Sequence, residues 1–119
     1  MGENMHNSAV SRFRNPVGAV QVGQTIQLCF QGEEQLQEVI LRVFTDDVPV
    51  DHPMKLEDGL WQYQLHTRTT TGLMWYHFVL RYPWGERYYG LPAGRNTGYG
   101  VVYDHEPPSF QITVYAQKF

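Results

Sequence analysis

Residues 73–82 read LMWYHFVLRY, the longest segment of this chain in which large apolar side chains recur at every second position. Successive side chains of a β-strand point to opposite sides, so this alternation places one set on a single face. That set is Met74, Tyr76, Phe78 and Leu80. Turn-forming residues bound the segment on both sides, at 69–72 (TTTG) and 83–86 (PWGE). The segment therefore predicts the longest strand of the protein, followed by a hairpin turn into a strand at 87–89.

The same alternation recurs along the rest of the chain. Further strands are predicted at 26–30, 39–44, 61–66, 101–103 and 110–115. Their core-facing side chains are predicted to be Ile26, Leu28, Phe30, Val39, Leu41, Val43, Ile112 and Val114. Asp58-Gly59 predicts a tight turn, whereas 45–56, with three Asp and two Pro residues, and the glycine-rich 90–100 predict loops. Seven or eight strands without a helix predict an all-β fold, a two-sheet antiparallel, immunoglobulin-like β-sandwich.

The composition suits one domain and argues against two classes of partner. The chain has 119 residues, of which 42% are hydrophobic, enough to fill one core. Its net charge is −3 and its Lys and Arg residues form no run, so we expect no nucleic-acid partner. The apolar segments are only as long as strands, so we expect no membrane span.

Two features bear on the cellular compartment. Residues 1–6, MGENMH, lack the basic region and apolar core of a secretory signal. The lone Cys29 excludes an internal disulfide, and its place in an alternating strand predicts an inert, partly buried thiol. We therefore expect a cytoplasmic location.

Several segments, taken together and in order, resemble a known family. They are 8–20 (SAVSRFRNPVGAV), 39–44 (VILRVF), 72–80 (GLMWYHFVL), 88–90 (YYG) and 110–115 (FQITVY). The first resembles an extended lead-in in which an aromatic-basic pair precedes a Pro-x-Gly-Ala turn. Over about 8–115 the chain is similar to the N-terminal β-sandwich domains, similar to carbohydrate-binding modules, of α-amylase family glycoside hydrolases of the neopullulanase, cyclomaltodextrinase and pullulanase type.

The resemblance implies a domain plan and a role. Residues 1–17 would be an extended N-terminal lead-in, 18–115 the sandwich, and 116–119 the start of a linker to a catalytic barrel outside this chain. The domain would be a non-catalytic accessory module of a starch-active hydrolase. It would pack on the catalytic domain of the same polypeptide or on a partner subunit of a homodimer, and bind α-glucan weakly.

Few polar residues suggest catalysis or metal binding. Glycoside hydrolysis needs a pair of carboxyl groups across the scissile bond, and the one acidic cluster, Asp46, Asp47 and Asp51, lies where Asp commonly caps turns. These three residues are weak candidates for calcium ligands, and apart from calcium we expect no cofactor. The five histidines show no zinc-ligand spacing.

Aromatic residues are better candidates for a site. The apolar face of a pyranose stacks on an exposed flat ring, while flanking polar groups bind the hydroxyls. The candidates for α-glucan contact are Trp84, Tyr88, Tyr89, Tyr99 and Trp75. The alternative for each ring is packing in the core or over a sheet edge.

A second set of residues predicts an interface. Phe44, Trp75, His77 and Val79 are apolar or aromatic side chains on the strand faces opposite the core. A sheet that is apolar on both faces is normally covered on both, so we expect a neighbouring domain or subunit there. Two other functions stay open: a free-standing carbohydrate-binding module, and an immunoglobulin-like structural or interaction domain without a sugar ligand.

Overall fold

The computed structural model describes residues 3–116, which form β-strands and contain no helix. In chain order the strands are β1 (Arg14–Asn15), β2 (Val20–Gln21), β3 (Thr25–Phe30), β4 (Glu38–Thr45), β5 (Val48–Pro53), β6 (Lys55–Glu57), β7 (Leu60–His66), β8 (Gly72–Tyr82), β9 (Gly85–Gly90), β10 (Val101–Tyr103) and β11 (Phe110–Tyr115). All seven strands predicted from the sequence are present, and β1, β2, β5 and β6 bring the number in residues 3–116 to eleven, above the seven or eight expected.

The strands form two sheets. The smaller sheet has the antiparallel order β1-β3-β7-β6. In the larger sheet, all of β4 pairs with one edge of β8, along residues 74–81. The other edge of β8 pairs first with β11 and then with β9. Outside these lie β5, β2 and β10, with β2 parallel to β11. The predicted all-β sandwich is confirmed, with long β8 at the centre of the larger sheet.

The expected loop at 45–56 is wrong, because this segment forms β5 and β6. Asp46 and Asp47 both adopt positive φ, 52° and 63°, and make the two-residue turn that pairs Thr45 with Val48. The two prolines that argued against a strand are tolerated because β5 lies at the sheet edge, where a missing N–H costs no ladder bond. Asp58-Gly59 forms the predicted tight turn between β6 and β7.

Every side chain predicted to face the core is buried between the two sheets. They are Ile26, Leu28, Phe30, Val39, Leu41, Val43, Met74, Tyr76, Phe78, Leu80, Ile112 and Val114. Even the most exposed of them, Met74, retains only 4% of its surface. The period-two pattern therefore identified the inner face of each long strand correctly.

The N-terminal lead-in is built into the sandwich. β1 pairs with β3, and His6 and Phe13 are buried. The expected linker at 116–119 lies, apart from Ala116, outside the described residues. Within 3–116 there is no helix long and apolar enough to cross a membrane.

Candidate functional site

The face of the larger sheet that points away from the smaller sheet, here called the outer face, carries a row of ring and amide side chains. Phe44 on β4 lies opposite Trp75 on β8, which lies opposite Gln111 on β11. Residues directly opposite each other in antiparallel strands share a face, so the three side chains form one row across the sheet. Trp75 is 37% exposed and Phe44 is half-buried. The row therefore presents an accessible indole beside a partly covered phenyl ring.

A network of charged side chains lies next to this row. Arg42 donates to both carboxylate oxygens of Asp51, from Nε to Oδ1 at 2.8 Å and from Nη2 to Oδ2 at 3.1 Å. It also pairs with Glu106, whose other oxygen lies 2.9 Å from His77 Nε2. His77 Nδ1 lies 3.1 Å from the Ser109 hydroxyl. These contacts hold the segment before β11 across the outer face.

The aromatic and charged residues together line a shallow groove of about 420 Å³. Phe44 and Pro49 supply its apolar part, and Arg42, Asp51 and Glu106 supply its polar part. The hydrogen bond from Arg42 holds the pKa of Asp51 below its usual range, so this carboxyl group is a poor proton donor. Burial lowers the pKa of His77, while the attraction of Glu106 opposes that shift. The groove therefore offers fixed hydrogen-bonding groups beside an aromatic surface.

The three aspartates proposed for calcium do not converge. Asp46 and Asp47 form the β4–β5 turn, where Asp46 contacts Arg68 at 3.3 Å. Asp51 lies further along β5 and is bound by Arg42. The part of the chain that the structure describes contains no group of three side chains able to hold a metal ion.

The aromatic candidates for sugar contact fall in different places. Trp84, at the β8–β9 turn, is 56% exposed, but its ring stacks on Tyr82 at 4.6 Å between centroids. The guanidinium of Arg87 also lies 4.7 Å from the Trp84 ring centroid. Trp75 and Tyr82 are seven positions apart on one strand, about 23 Å. Trp84 and Trp75 therefore lie on separate parts of the protein surface and cannot form one site.

The tyrosine candidates also separate. Tyr88 lies on the outer face, half-buried, with its ring 6.2 Å from that of His77. Tyr99 is exposed in the loop before β10, where the Arg95 guanidinium lies 4.9 Å from its ring. Only Trp75 and Tyr88 share the outer face.

The prediction that Tyr89 contacts α-glucan is wrong, because only 1% of Tyr89 is exposed and no sugar can stack on its ring. Its hydroxyl accepts from the main-chain N–H groups of His6 and Gly100, at 3.0 and 3.1 Å, and donates to the His6 carbonyl at 3.2 Å. This buried network could not be predicted from the sequence because its members are far apart in the chain. Residues 3–8 (ENMHNS) carry no alternating apolar pattern that would mark His6 as buried.

The interface prediction is corrected in part. His77 and Val79 are each 1% exposed in the chain by itself. Glu106 and Ser109 cover His77, and Val79 lies between Ile40 and Tyr88 of the adjacent strands. These two residues need no partner to cover them. Phe44 and Trp75 keep accessible surface.

Fold and outer face together define a small all-β domain that presents an aromatic and polar surface. No protein-family model matches the chain. It is 32% identical over 124 aligned positions to an amylopullulanase of Thermoanaerobacterium thermosulfurigenes, covering 96% of this chain and 7% of that protein. It is 30% identical to the amylopullulanase of Thermoanaerobacterium saccharolyticum, covering 96% of this chain and 10% of that protein. An amylopullulanase of Thermoanaerobacter thermohydrosulfuricus is 29% identical over 92% of the chain.

The chain thus spans a tenth or less of the length of these relatives. Its similarity covers nearly all of its own residues and one small part of theirs. The resemblance to a domain of pullulanase-type enzymes, drawn from the sequence, is confirmed.

Proposed function

We propose that this chain is a non-catalytic accessory domain of a larger starch-active glycoside hydrolase and that its outer face binds α-glucan weakly. The observation that carries the proposal is the match of 96% of the chain to a tenth or less of amylopullulanases. Such a match leaves the larger part of those enzymes for catalysis. The domain is proposed to pack on the catalytic part of the same polypeptide.

The chemistry of the outer face supports a role without catalysis. Asp51 and Glu106 are the acidic groups beside the aromatic row, and both pair with Arg42. Glycosidases need a carboxylic acid with a raised pKa to protonate the leaving oxygen, whereas the pKa of Asp51 is lowered. Asp51 therefore suits hydrogen bonding to a ligand and does not suit acid catalysis.

Trp75 is the best-placed ring for a glucan. It is exposed, lies next to Phe44 and adjoins a groove lined by Arg42, Asp51 and Glu106. A pyranose stacked on the indole would find donors and acceptors for its hydroxyls in that groove. An open surface with one accessible ring buries little sugar, so we expect binding on the millimolar scale.

Titration of the 119-residue chain with maltoheptaose, followed by amide chemical shifts, tests the proposal. Trp75→Ala should abolish measurable binding, because it removes the stacking ring. Trp84→Ala is the matched control, since Trp84 is also exposed but already stacks on Tyr82. The affinity of this variant for maltoheptaose should stay within about twofold of that of the unmodified chain. Hydrolysis of starch by the purified chain would contradict the proposal, as would binding that survives Trp75→Ala.

A further inference from the structure

A second groove, of about 330 Å³, lies beside β11 and is lined mainly by polar residues. The N-terminal segment contributes Arg14, the loop before β10 contributes Asn96 and Thr97, and β11 contributes Gln111 and Thr113. None of the residues that line it carries a carboxylate. Its walls thus combine a cation with amides and hydroxyls.

Arg14 is the unusual member of this groove, because it is only 4% exposed. It donates from Nη1 to the Gln111 carbonyl at 2.9 Å and from Nη2 to the Gly18 carbonyl at 3.1 Å. Its Nε has no hydrogen-bond acceptor among residues 3–116. A guanidinium carries five N–H donors, so Arg14 retains donors that these two carbonyl oxygens do not use. This Nε atom is itself buried, so Arg14 supplies the groove with positive charge, and contact with a ligand falls to the surrounding amides and hydroxyls.

The groove continues the aromatic row of the outer face. Gln111, which lines the groove, lies directly opposite Trp75, and Thr113 lies opposite Leu73. Adjacent strands are about 4.8 Å apart, so the row from Phe44 to Gln111 spans about 10 Å and ends where the groove begins. A linear ligand that stacks on Trp75 and follows the row enters the groove.

We propose that this groove is a second subsite for α-glucan, which holds glucosyl residues that extend beyond Trp75. This inference rests on the proposed function. A sugar hydroxyl both donates and accepts, and the amides of Asn96 and Gln111 and the hydroxyl of Thr97 offer both roles.

Comparison of long and short ligands on matched variants tests the subsite. Asn96 is exposed on a loop, so Asn96→Ala should fold normally. It should raise the Kd for maltoheptaose about 3- to 10-fold, the effect of one lost hydrogen bond, and leave the Kd for maltose unchanged. Gln35→Ala, which removes an exposed loop amide outside the groove, should change neither. Maltoheptaose, and not sodium sulfate, should shift the Arg14 Nε–Hε resonance.

The outcomes separate this inference from the function on which it rests. If Trp75→Ala abolishes maltoheptaose binding but Asn96→Ala leaves it unchanged, the subsite is overturned and the proposed function stands. If sulfate alone shifts the Arg14 resonance, the groove binds anions and the subsite is overturned. If no maltooligosaccharide binds at all, the subsite and the proposed glucan binding both fail.

Discussion

Protonation of His6 should destabilise the fold strongly as pH falls. The imidazole is completely buried, with Nδ1 2.8 Å from the Cys29 carbonyl oxygen and Nε2 2.8 Å from the Tyr76 hydroxyl. A carbonyl only accepts, so Nδ1 carries the proton and donates to Cys29, while Nε2 accepts from Tyr76. Both ring nitrogens are satisfied in the neutral form, and a second proton would place a buried charge near Arg14.

The sign and size of the effect follow from linkage. Burial lowers the pKa of His6 to about 3, the Cys29 hydrogen bond opposes this shift, and the charge of Arg14 adds to it. In the unfolded chain a histidine titrates near 6.5, so between these values the unfolded state binds more protons. This stability is fully present above about pH 6.5 and is lost as pH falls toward 3. Two pH units below 6.5, the loss is about 3 kcal/mol, a large share of a typical stability.

Urea unfolding at pH 7.5 and pH 4.5 measures this loss. His105→Gln is the control, because it removes an exposed imidazole and should leave the difference between the two pH values unchanged. His6→Gln should be less stable at pH 7.5 but lose clearly less between the two pH values. The remaining loss reflects His52 and His77, whose pKa values burial also lowers.

A second measurement does not require a folded His6 variant. Imidazole ¹⁵N shifts of the unmodified chain should show the Nδ1–H tautomer of His6 throughout the pH range in which the protein stays folded. Equal stability at both pH values, or a His6 ring that titrates near pH 6 in the folded protein, would refute the reasoning.

Two further substitutions test the packing of the sandwich. Phe78→Ala should cost about 3–5 kcal/mol in urea unfolding, because Phe78 is fully buried between the sheets. Leu73→Ala, at an exposed position of the same strand, should cost about 0.5 kcal/mol or less, and equal costs would place Phe78 on the wrong face. Gly90→Ala should destabilise the fold by about 1–3 kcal/mol, seen as a lower melting temperature. The Cβ of the new alanine would collide with the Pro108 carbonyl oxygen. An unchanged melting temperature would show that the Pro107-Pro108 segment moves aside.

Local alternation determined much of the fold in advance. Side chains of a strand alternate by geometry, so a period-two apolar pattern predicts both the strand and its buried face, as for 73–82 and 110–115. The prediction of a loop at 45–56 failed because Asp and Pro occur in loops but also in hairpin turns and edge strands. Asp46-Asp47 reads as a loop by composition, yet both residues accept the positive φ of a hairpin turn.

The sequence by itself thus determined seven of the eleven strands in residues 3–116, their core side chains and the resemblance to part of a pullulanase-type enzyme, since each depends on neighbours along the chain. Only the tertiary structure decided which aromatic rings are accessible. The Tyr89 hydroxyl accepts a hydrogen bond from the main-chain N–H of His6, 83 positions away, and Tyr89 lies in the core. The His6 ring in turn contacts the hydroxyl of Tyr76, 70 positions away. Trp84 stacks on Tyr82, whereas Trp75 keeps an exposed ring beside two grooves assembled from distant segments. Accessibility depends on what packs against a side chain, and contacts between distant segments exist only once the chain has folded.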